Sequence, residues 1–236
     1  MELRPQRVVL FWVGVGLLTL LFAFMLPAIV LPRRAVLAIV KSYVGSILWL
    51  LTSILKVSWS VGGVVASGPV LVAAKHQSAF ETLFLQYVLG DPAIVLKREL
   101  LAIPLFGWAL RRLGHIGVDR SGDLDAARRL LAEARRANAE GRPVLIFPEG
   151  SRRELGAPPD YKAGVELLYA TLKAPCVPVA VNSGSVWPAK SLTPREGHIT
   201  IEFLPPIAPG IPRAAFGQRL QNDIEEATAA LLQLPP

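Results

Sequence analysis

The sequence predicts an α/β domain preceded by two apolar helices. Short runs rich in β-branched residues alternate with amphipathic helical segments, a pattern typical of a largely parallel or mixed sheet flanked by helices. Two long apolar stretches come before this alternation. We therefore divide the chain into a two-helix membrane anchor over residues 1–58 and an α/β domain over residues 59–236.

The first apolar stretch, residues 8–31, contains no charged side chain. As a helix it would be about 36 Å long at 1.5 Å per residue, enough to cross a hydrocarbon core of about 30 Å. A second stretch, residues 35–55, is interrupted only by Lys41. A cleaved signal peptide is the alternative for the first stretch. Its apolar region is longer than usual, however, and no clear small-residue cleavage site follows, so the pattern favours an anchor.

The charge distribution also points to a membrane. Of the formal net charge of +7, residues 1–60 hold +5. Basic residues beside apolar helices suit anionic lipid head groups, whereas nucleic-acid binding requires them on a polar face. The six cations are Arg4, Arg7, Arg33, Arg34, Lys41 and Lys56. We expect membrane lipids as partners and no nucleic acid.

The topology of the anchor stays open at this stage. A hairpin that spans the bilayer would place Arg33 and Arg34 on the side opposite the two N-terminal arginines, which the positive-inside tendency disfavours. A hairpin lying in one leaflet avoids this conflict. The sequence does not choose between the two arrangements.

The α/β domain begins with a buried strand after three glycines. Further apolar or alternating runs predict the remaining strands, and segments with helical periodicity separate them. The predicted strands cover residues 69–74, 94–96, 115–119, 143–147, 176–181 and 198–204, and the predicted helices cover residues 78–90, 123–139, 161–173 and 213–232. Polar motifs follow several strands directly, at the edge where such sheets bind their ligands.

The first of these motifs contains a histidine and a carboxylate. His76 ends the first predicted strand, and Glu81 follows five positions later. A carboxylate that orients a histidine ring produces a general base. The alternative is structural, because Ser78 and Glu81 match a helix capping box, in which the carboxylate accepts a backbone N–H. One carboxylate has two oxygens and is able to serve both partners.

The second motif is the turn FPEGSR at residues 147–152, which follows a predicted buried strand. Its backbone N–H groups and its arginine suit an anionic ligand. The alternative is an ordinary polar turn with a solvated arginine. Lys97 and Arg120 are further candidate phosphate contacts, and their alternative role is surface charge.

The single cysteine, Cys176, lies in the apolar run CVPVAV. It cannot form an internal disulfide, which fits a reducing compartment. A cysteine in such a run is typical of a small core residue, so we do not expect it to be a nucleophile.

Taken together, the motifs resemble those of the 1-acylglycerol-3-phosphate acyltransferase (lysophosphatidate acyltransferase) family, within the glycerolipid acyltransferase superfamily. KHQSAFE is similar to the family's N-H-x-x-x-x-D motif, and KRELLAIPLFGW with GHIGVDR is similar to its second motif. FPEGSR corresponds to F-P-E-G-T-R, and VPVAV to the apolar strand that bears a proline. The resemblance covers roughly residues 60–210, and the apolar N-terminus matches the family's membrane-anchoring helices.

The resemblance implies a role for each matched residue. His76 is expected to be the general base and Glu81 its orienting acid. The residues implied to bind substrate are Lys97, Arg120, Glu149, Gly150, Ser151, Arg152 and Pro178, with Pro178 on the acyl-chain side. Two departures, Glu81 for Asp and Ser151 for Thr, retain the chemical group at each position.

The implied function is acyl transfer from acyl-CoA or an acyl carrier protein to the sn-2 hydroxyl of 1-acylglycerol-3-phosphate, giving phosphatidic acid for phospholipid biosynthesis. No metal or other cofactor is expected, and the implied location is a bacterial inner membrane with the catalytic domain on the cytoplasmic side. The alternatives are acylation of another lyso-lipid, such as lyso-ornithine lipid or a lysophospholipid, a membrane-anchored lipid or thioester hydrolase, and a non-catalytic lipid-binding scaffold. No G-x-S-x-G motif supports a serine hydrolase.

Overall fold

The computed structural model describes residues 5–24, 32–119 and 124–233. The helices are α1 (Pro5–Phe24), α2 (Arg33–Leu55), α3 (Phe80–Val88), α4 (Phe106–Arg112), α5 (Leu124–Ala139), α6 (Gly164–Leu172), α7 (Ser183–Val186) and α8 (Arg213–Gln233), and Arg98–Ala102 forms a 3₁₀ helix. The strands are β1 (Val57–Gly63), β2 (Leu71–Ala74), β3 (Ala93–Lys97), β4 (Ile116–Val118), β5 (Val144–Ile146), β6 (Cys176–Val181) and β7 (Gly197–Phe203).

Within the described residues, the strands form one sheet in the order β1-β7-β6-β2-β5-β3-β4. Five neighbouring strands run parallel to one another: β6, β2, β5, β3 and β4. Along the chain, each of them is joined to the next by a crossover connection on a face of the sheet, as parallel pairing requires. β7 is antiparallel to β6, and β1 is parallel to β7. The prediction of an α/β fold with a mixed sheet flanked by helices is therefore confirmed.

Strand β1 was not predicted from the sequence. It lies at the edge of the sheet, and four of its seven positions are exposed, so it lacks the apolar run by which the central strands are detected. Because β1 begins at Val57, a boundary after residue 58 passes through this strand. The division into an anchor and a domain remains a description of composition.

The two N-terminal helices pack against the sheet. Phe11 of α1 and Leu51 and Leu55 of α2 are fully buried in the same apolar cluster as Val72 and Val179 of the central strands. Both helices are long and apolar enough to cross a membrane. The outer face of α1 is exposed and apolar; it includes Val9, Val13, Leu17, Leu20 and Phe24.

Arg33 is partly buried against the protein at the start of α2. Its guanidinium donates to both carboxylate oxygens of Asp91, at 2.7 and 2.6 Å, and to the Leu113 carbonyl oxygen at 2.9 Å. Arg142 reaches the same two residues from the other side. Asp91 therefore offsets part of this charge, and the expectation that Arg33 contributes to binding lipid head groups stays a prediction.

Candidate functional site

His76 lies just beyond the carboxyl end of β2, in the middle of the sheet. Strands β5 and β6 flank β2 and run parallel to it, so the turns after all three strands meet at one edge. This is the edge at which open α/β sheets bind ligands. The sheet therefore brings the His76 segment, the turn after β5 and the start of α7 together.

His76 and Glu81 form a hydrogen-bonded pair. His76 Nδ1 lies 2.8 Å from Glu81 Oε1. The same oxygen accepts the backbone N–H groups of Gln77 and Ser78, each at 2.7 Å. Glu81 Oε2 accepts the hydroxyl groups of Ser78 and Ser183, again at 2.7 Å. Five donors therefore surround one fully buried carboxylate.

This arrangement keeps Glu81 ionised. Burial alone raises the pKa of the Glu81 carboxyl, but the hydrogen bond and charge of His76 and the hydrogen bonds of Ser78 outweigh it, so the pKa lies below its ordinary value. Because His76 Nδ1 is held by the carboxylate, Nε2 is the nitrogen left for proton transfer. Glu81 therefore does two things: it caps the start of α3 and it orients the His76 ring.

A buried ion pair holds the His76 backbone. Glu149 Oε2 accepts the His76 N–H at 3.0 Å, and Glu149 Oε1 accepts from the Lys75 ammonium at 2.9 Å. Lys75 also donates to Glu225 Oε1 at 2.6 Å. Burial, followed by the nearby Glu225 and Glu149 carboxylates, raises the pKa of Tyr161, whose hydroxyl donates to Glu225 at 3.0 Å.

This ion pair changes the interpretation of Glu149. Both of its carboxylate oxygens bind protein groups, and its side chain is fully buried. Its observed contacts hold the His76 backbone and leave neither oxygen directed at an anionic substrate. Neither Lys75 nor Glu225 was predicted as part of the site. Lys75 is adjacent to His76 in the sequence, whereas Glu225 lies 150 residues away on α8, and no local pattern points to it.

The turn after β5 places exposed polar groups next to the histidine. The Phe147 ring stacks on the His76 ring, with centroids 4.2 Å apart. Gly150 has a φ of +65°, a conformation that favours glycine, and its N–H donates to the Phe147 carbonyl oxygen at 2.9 Å. Ser151 and Arg152 follow and are exposed.

A large cavity of about 1400 Å³ opens at His76. One part of its wall is polar and contains His76 and the turn from Phe147 to Arg152. The rest is mostly apolar and is formed by α1, α2, α3, β3, α4 and the segment before α4. Examples are Phe22, Val40, Leu83, Ile94 and Trp108. The shape and lining suit a ligand with a polar head and a long apolar chain.

The structure places some of the predicted site residues in the cavity wall and others elsewhere. Lys97 is exposed and lines the cavity together with Gly150, Ser151 and Arg152. Arg120 lies outside the described residues. Pro178 is buried in the middle of β6 opposite Ala73, and it is not part of the cavity wall. The structure therefore does not bring Pro178 together with the other predicted residues.

Cys176 is fully buried in β6, and burial raises the pKa of its thiol. The thiol is therefore protonated at neutral pH, which agrees with its interpretation as a core residue. Among the described residues, no three His, Cys, Asp or Glu side chains are grouped closely enough to hold a metal ion. The expectation that the reaction uses no metal or cofactor remains a prediction.

His115 is a second buried histidine in the cavity wall. Its Nδ1 accepts the Ile94 N–H at 3.1 Å. Burial, followed by the charge of Arg142, lowers its pKa from 6.5 to about 4. The imidazole is therefore neutral throughout the physiological range.

We expect His115 to make the folded protein less stable as the pH falls from about 6.5 to about 4. In this window the unfolded chain binds a proton that the folded chain does not, so the free energy of unfolding rises with pH. Across this whole pH window, the free energy of unfolding changes by about 3 kcal/mol. Denaturant unfolding in detergent between these pH values measures the slope, and His115→Asn should flatten it. An unchanged slope in that variant would contradict the assignment.

The chain is similar to proteins of known family. A family model described as Acyltransferase matches residues 60–182. The 1-acyl-sn-glycerol-3-phosphate acyltransferase of Pseudomonas aeruginosa is 33% identical over 169 residues, covering 71% of this chain and 66% of that protein. The protein of the same name from Helicobacter pylori is 26% identical over 163 residues, covering 68% of each chain.

One solved structure is similar over nearly the whole chain. It is the crystal structure of the 1-acyl-sn-glycerophosphate (LPA) acyltransferase PlsC from Thermotoga maritima, with a TM-score of 0.79 at 20% identity. The match covers 99% of this chain and 100% of that one. The two chains therefore share a fold, including the pair of helices before the sheet.

Proposed function

Because this chain belongs to the acyltransferase family, we propose that it transfers an acyl chain from a thioester to the sn-2 hydroxyl of 1-acylglycerol-3-phosphate, giving phosphatidic acid. The observation that carries the proposal is the His76–Glu81 pair at the polar end of a cavity with a long apolar wall. A general base and an acyl-chain site in one cavity are what this reaction requires.

The proposed mechanism follows from the ring nitrogen that is left for proton transfer. His76 Nε2 removes the proton of the sn-2 hydroxyl as that oxygen attacks the thioester carbonyl carbon. Glu81 stabilises the resulting imidazolium and keeps the ring oriented. The tetrahedral intermediate then breaks its C–S bond, and the imidazolium returns the proton to the departing sulfur. The new ester remains on the acceptor.

The acceptor's phosphate is proposed to bind at the polar end of the cavity. Arg152 and Lys97 supply cationic donors there, and Ser151 and Gly150 belong to the same wall. Arginine offers two parallel donors that match phosphate oxygens. Arg120 keeps its proposed role as a further phosphate contact on the strength of the motif alone.

We also propose that the two N-terminal helices lie in one leaflet of the membrane. α2 contacts the α/β domain at both ends, through Arg33 and Asp91 at its start and through Leu51 and Leu55 near its end. A helix held at both ends by the same domain cannot place those ends on opposite sides of a bilayer. The exposed apolar face of α1 is then the surface that enters the lipid. A bacterial inner membrane, with the domain on the cytoplasmic side, is the proposed location.

The test is a thiol-release assay on the purified protein in lipid vesicles. Acyl-CoA and acyl-ACP are offered as donors, and the acceptors are 1-acylglycerol-3-phosphate, lyso-ornithine lipid and lysophospholipids with larger head groups. Thiol release that requires 1-acylglycerol-3-phosphate and yields phosphatidic acid supports the proposal. Thiol release without an acceptor indicates a hydrolase, another acylated product names another acceptor, and lipid binding without release indicates a scaffold.

Arg152→Ala is expected to raise the KM for the phosphate-bearing acceptor by about ten- to a hundredfold, because one charge-assisted hydrogen bond or pair is lost. The KM for the acyl donor should not change. Initial rates at varied concentrations of each substrate separate the two constants. Arg128→Ala, at an exposed arginine on α5 that pairs with Asp125, is the matched control. A KM for the acceptor that stays at its wild-type value would show that Arg152 does not bind the phosphate.

A further inference from the structure

Within the described residues, the apolar wall of the cavity includes a buried amide side chain without a hydrogen-bond partner. Gln86 of α3 is 6% exposed, and neither its amide nitrogen nor its amide oxygen forms a hydrogen bond within the described part of the chain. By contrast, Thr19 and Tyr43, two less buried polar residues of the wall, bond to each other at 2.9 Å. A buried amide without a partner is costly, so its presence calls for a ligand group.

A second polar group lines the same cavity. Because His115 Nδ1 accepts the Ile94 N–H, a neutral His115 carries its hydrogen on Nε2. No hydrogen bond joins this Nε2–H to another of the described residues. Gln86 offers both a donor and an acceptor, and His115 adds a donor. A hydroxyl group on a bound ligand both donates and accepts, so it matches this set.

The register of the sheet gives the depth of these groups. His115, at the start of β4, lies level with Ile94 of β3. Ile94 is in turn level with Leu145 of β5, and Leu145 with Val72 of β2. His76 is four residues beyond Val72, which is about 13 Å along the strand direction at about 3.3 Å per residue.

Gln86 lies between these two levels. Helix α3 returns from the carboxyl end of β2 toward the start of β3, so Gln86 lies about 7.5 Å along the helix from Glu81. Both groups are therefore well below the thioester carbon that His76 faces, beside the middle of a long acyl chain.

We propose that the cavity selects a transferred acyl chain that carries a hydroxyl group near its middle, bound by the Gln86 amide and the His115 imidazole. This inference rests on the proposed function and names its donor class. An unsubstituted chain leaves the Gln86 amide without a hydrogen-bond partner. The hydroxyl of a hydroxylated chain bonds to that amide and so replaces the hydrogen bonds that it made to water.

The test compares ricinoleoyl-CoA with oleoyl-CoA, which differ by one mid-chain hydroxyl, with 1-oleoylglycerol-3-phosphate as the acceptor. The wild-type protein should prefer ricinoleoyl-CoA in kcat/KM by about ten- to a hundredfold. Gln86→Met, which keeps the shape and removes the amide, should abolish or reverse this ratio. His115→Asn, which can retain an acceptor for the Ile94 N–H, should reduce it.

Thr228→Val is the control. Thr228 is also buried with an unpartnered hydroxyl, but it lies on α8 and is not part of the cavity wall, so the ratio should stay at the wild-type value. Equal use of both donors, or a preference that survives Gln86→Met, would overturn the inference. A preference that follows a hydroxyl on the acceptor's chain instead would also overturn it. Both acyl chains are also offered as ACP thioesters, and transfer from none of these donors would contradict the proposed function itself.

Discussion

His76→Ala is expected to lower acyl transfer by about a hundredfold to ten-thousandfold, the range that general-base catalysis contributes. The substitution removes the nitrogen that takes the hydroxyl proton. It should leave the fold intact, because the two backbone N–H groups and two hydroxyl groups that bind Glu81 remain in place. Thiol release from acyl-CoA by the purified variant in vesicles measures the effect, and co-sedimentation with the vesicles confirms that membrane binding persists.

The matched control for this variant is another histidine. His198 lies on β7, is half-buried at the sheet edge and bonds to Ser58 and Ser60 of β1, outside the cavity. His198→Ala should therefore retain wild-type activity. Substantial transfer by His76→Ala, at a tenth of the wild-type rate or more, would show that another group removes the proton.

Glu81→Gln is expected to lower kcat by about a hundredfold to ten-thousandfold while leaving both KM values near those of the wild-type protein. The substitution removes the charge that stabilises the imidazolium. Its amide oxygen can still accept from His76 and the two backbone N–H groups, and its NH₂ can donate to the hydroxyl groups of Ser78 and Ser183. The KM values should hold because Glu81 does not line the cavity.

Two further variants separate the charge from the packing. Ser183→Ala removes one donor to Glu81 Oε2 and leaves the carboxylate charged, so we expect a smaller fall in kcat than for Glu81→Gln. Glu81→Asp restores the charge on a shorter side chain and should recover part of the activity. Stability in detergent, measured by denaturant unfolding, should be similar for all three variants. Full activity of Glu81→Gln would contradict the proposed role of the carboxylate.

The sequence allowed the chemistry of the pair to be predicted because His76, Ser78 and Glu81 are close along the chain. A capping box and a strand end position such residues by local geometry alone. The α/β class was equally predictable, since the central strands are continuous apolar runs and the helices show a clear periodicity. Strand β1 could not be detected in this way, because an exposed edge strand pairs through its backbone and needs no apolar pattern.

The groups that hold or surround the pair were set by tertiary contacts. Ser183 donates to Glu81 across 102 residues, and Glu225 reaches Lys75 across 150 residues. Arg33 was grouped with the basic residues of the N-terminal region, and only the fold shows Asp91 beside it. Contacts between residues far apart in sequence depend on which elements pack together. Composition and spacing do not indicate which elements will do so.

Local patterns were sufficient to predict the α/β class, the apolar N-terminal helices and the histidine–carboxylate pair, because periodicity, capping and motif order are local properties. The three-dimensional packing was needed to show that Glu149 supports His76, that Pro178 is not part of the cavity wall, and that both N-terminal helices contribute to that wall. It also decided where Gln86 and His115 lie. A cavity consists of the space left between packed elements, so its contents follow from the packing and not from any one segment.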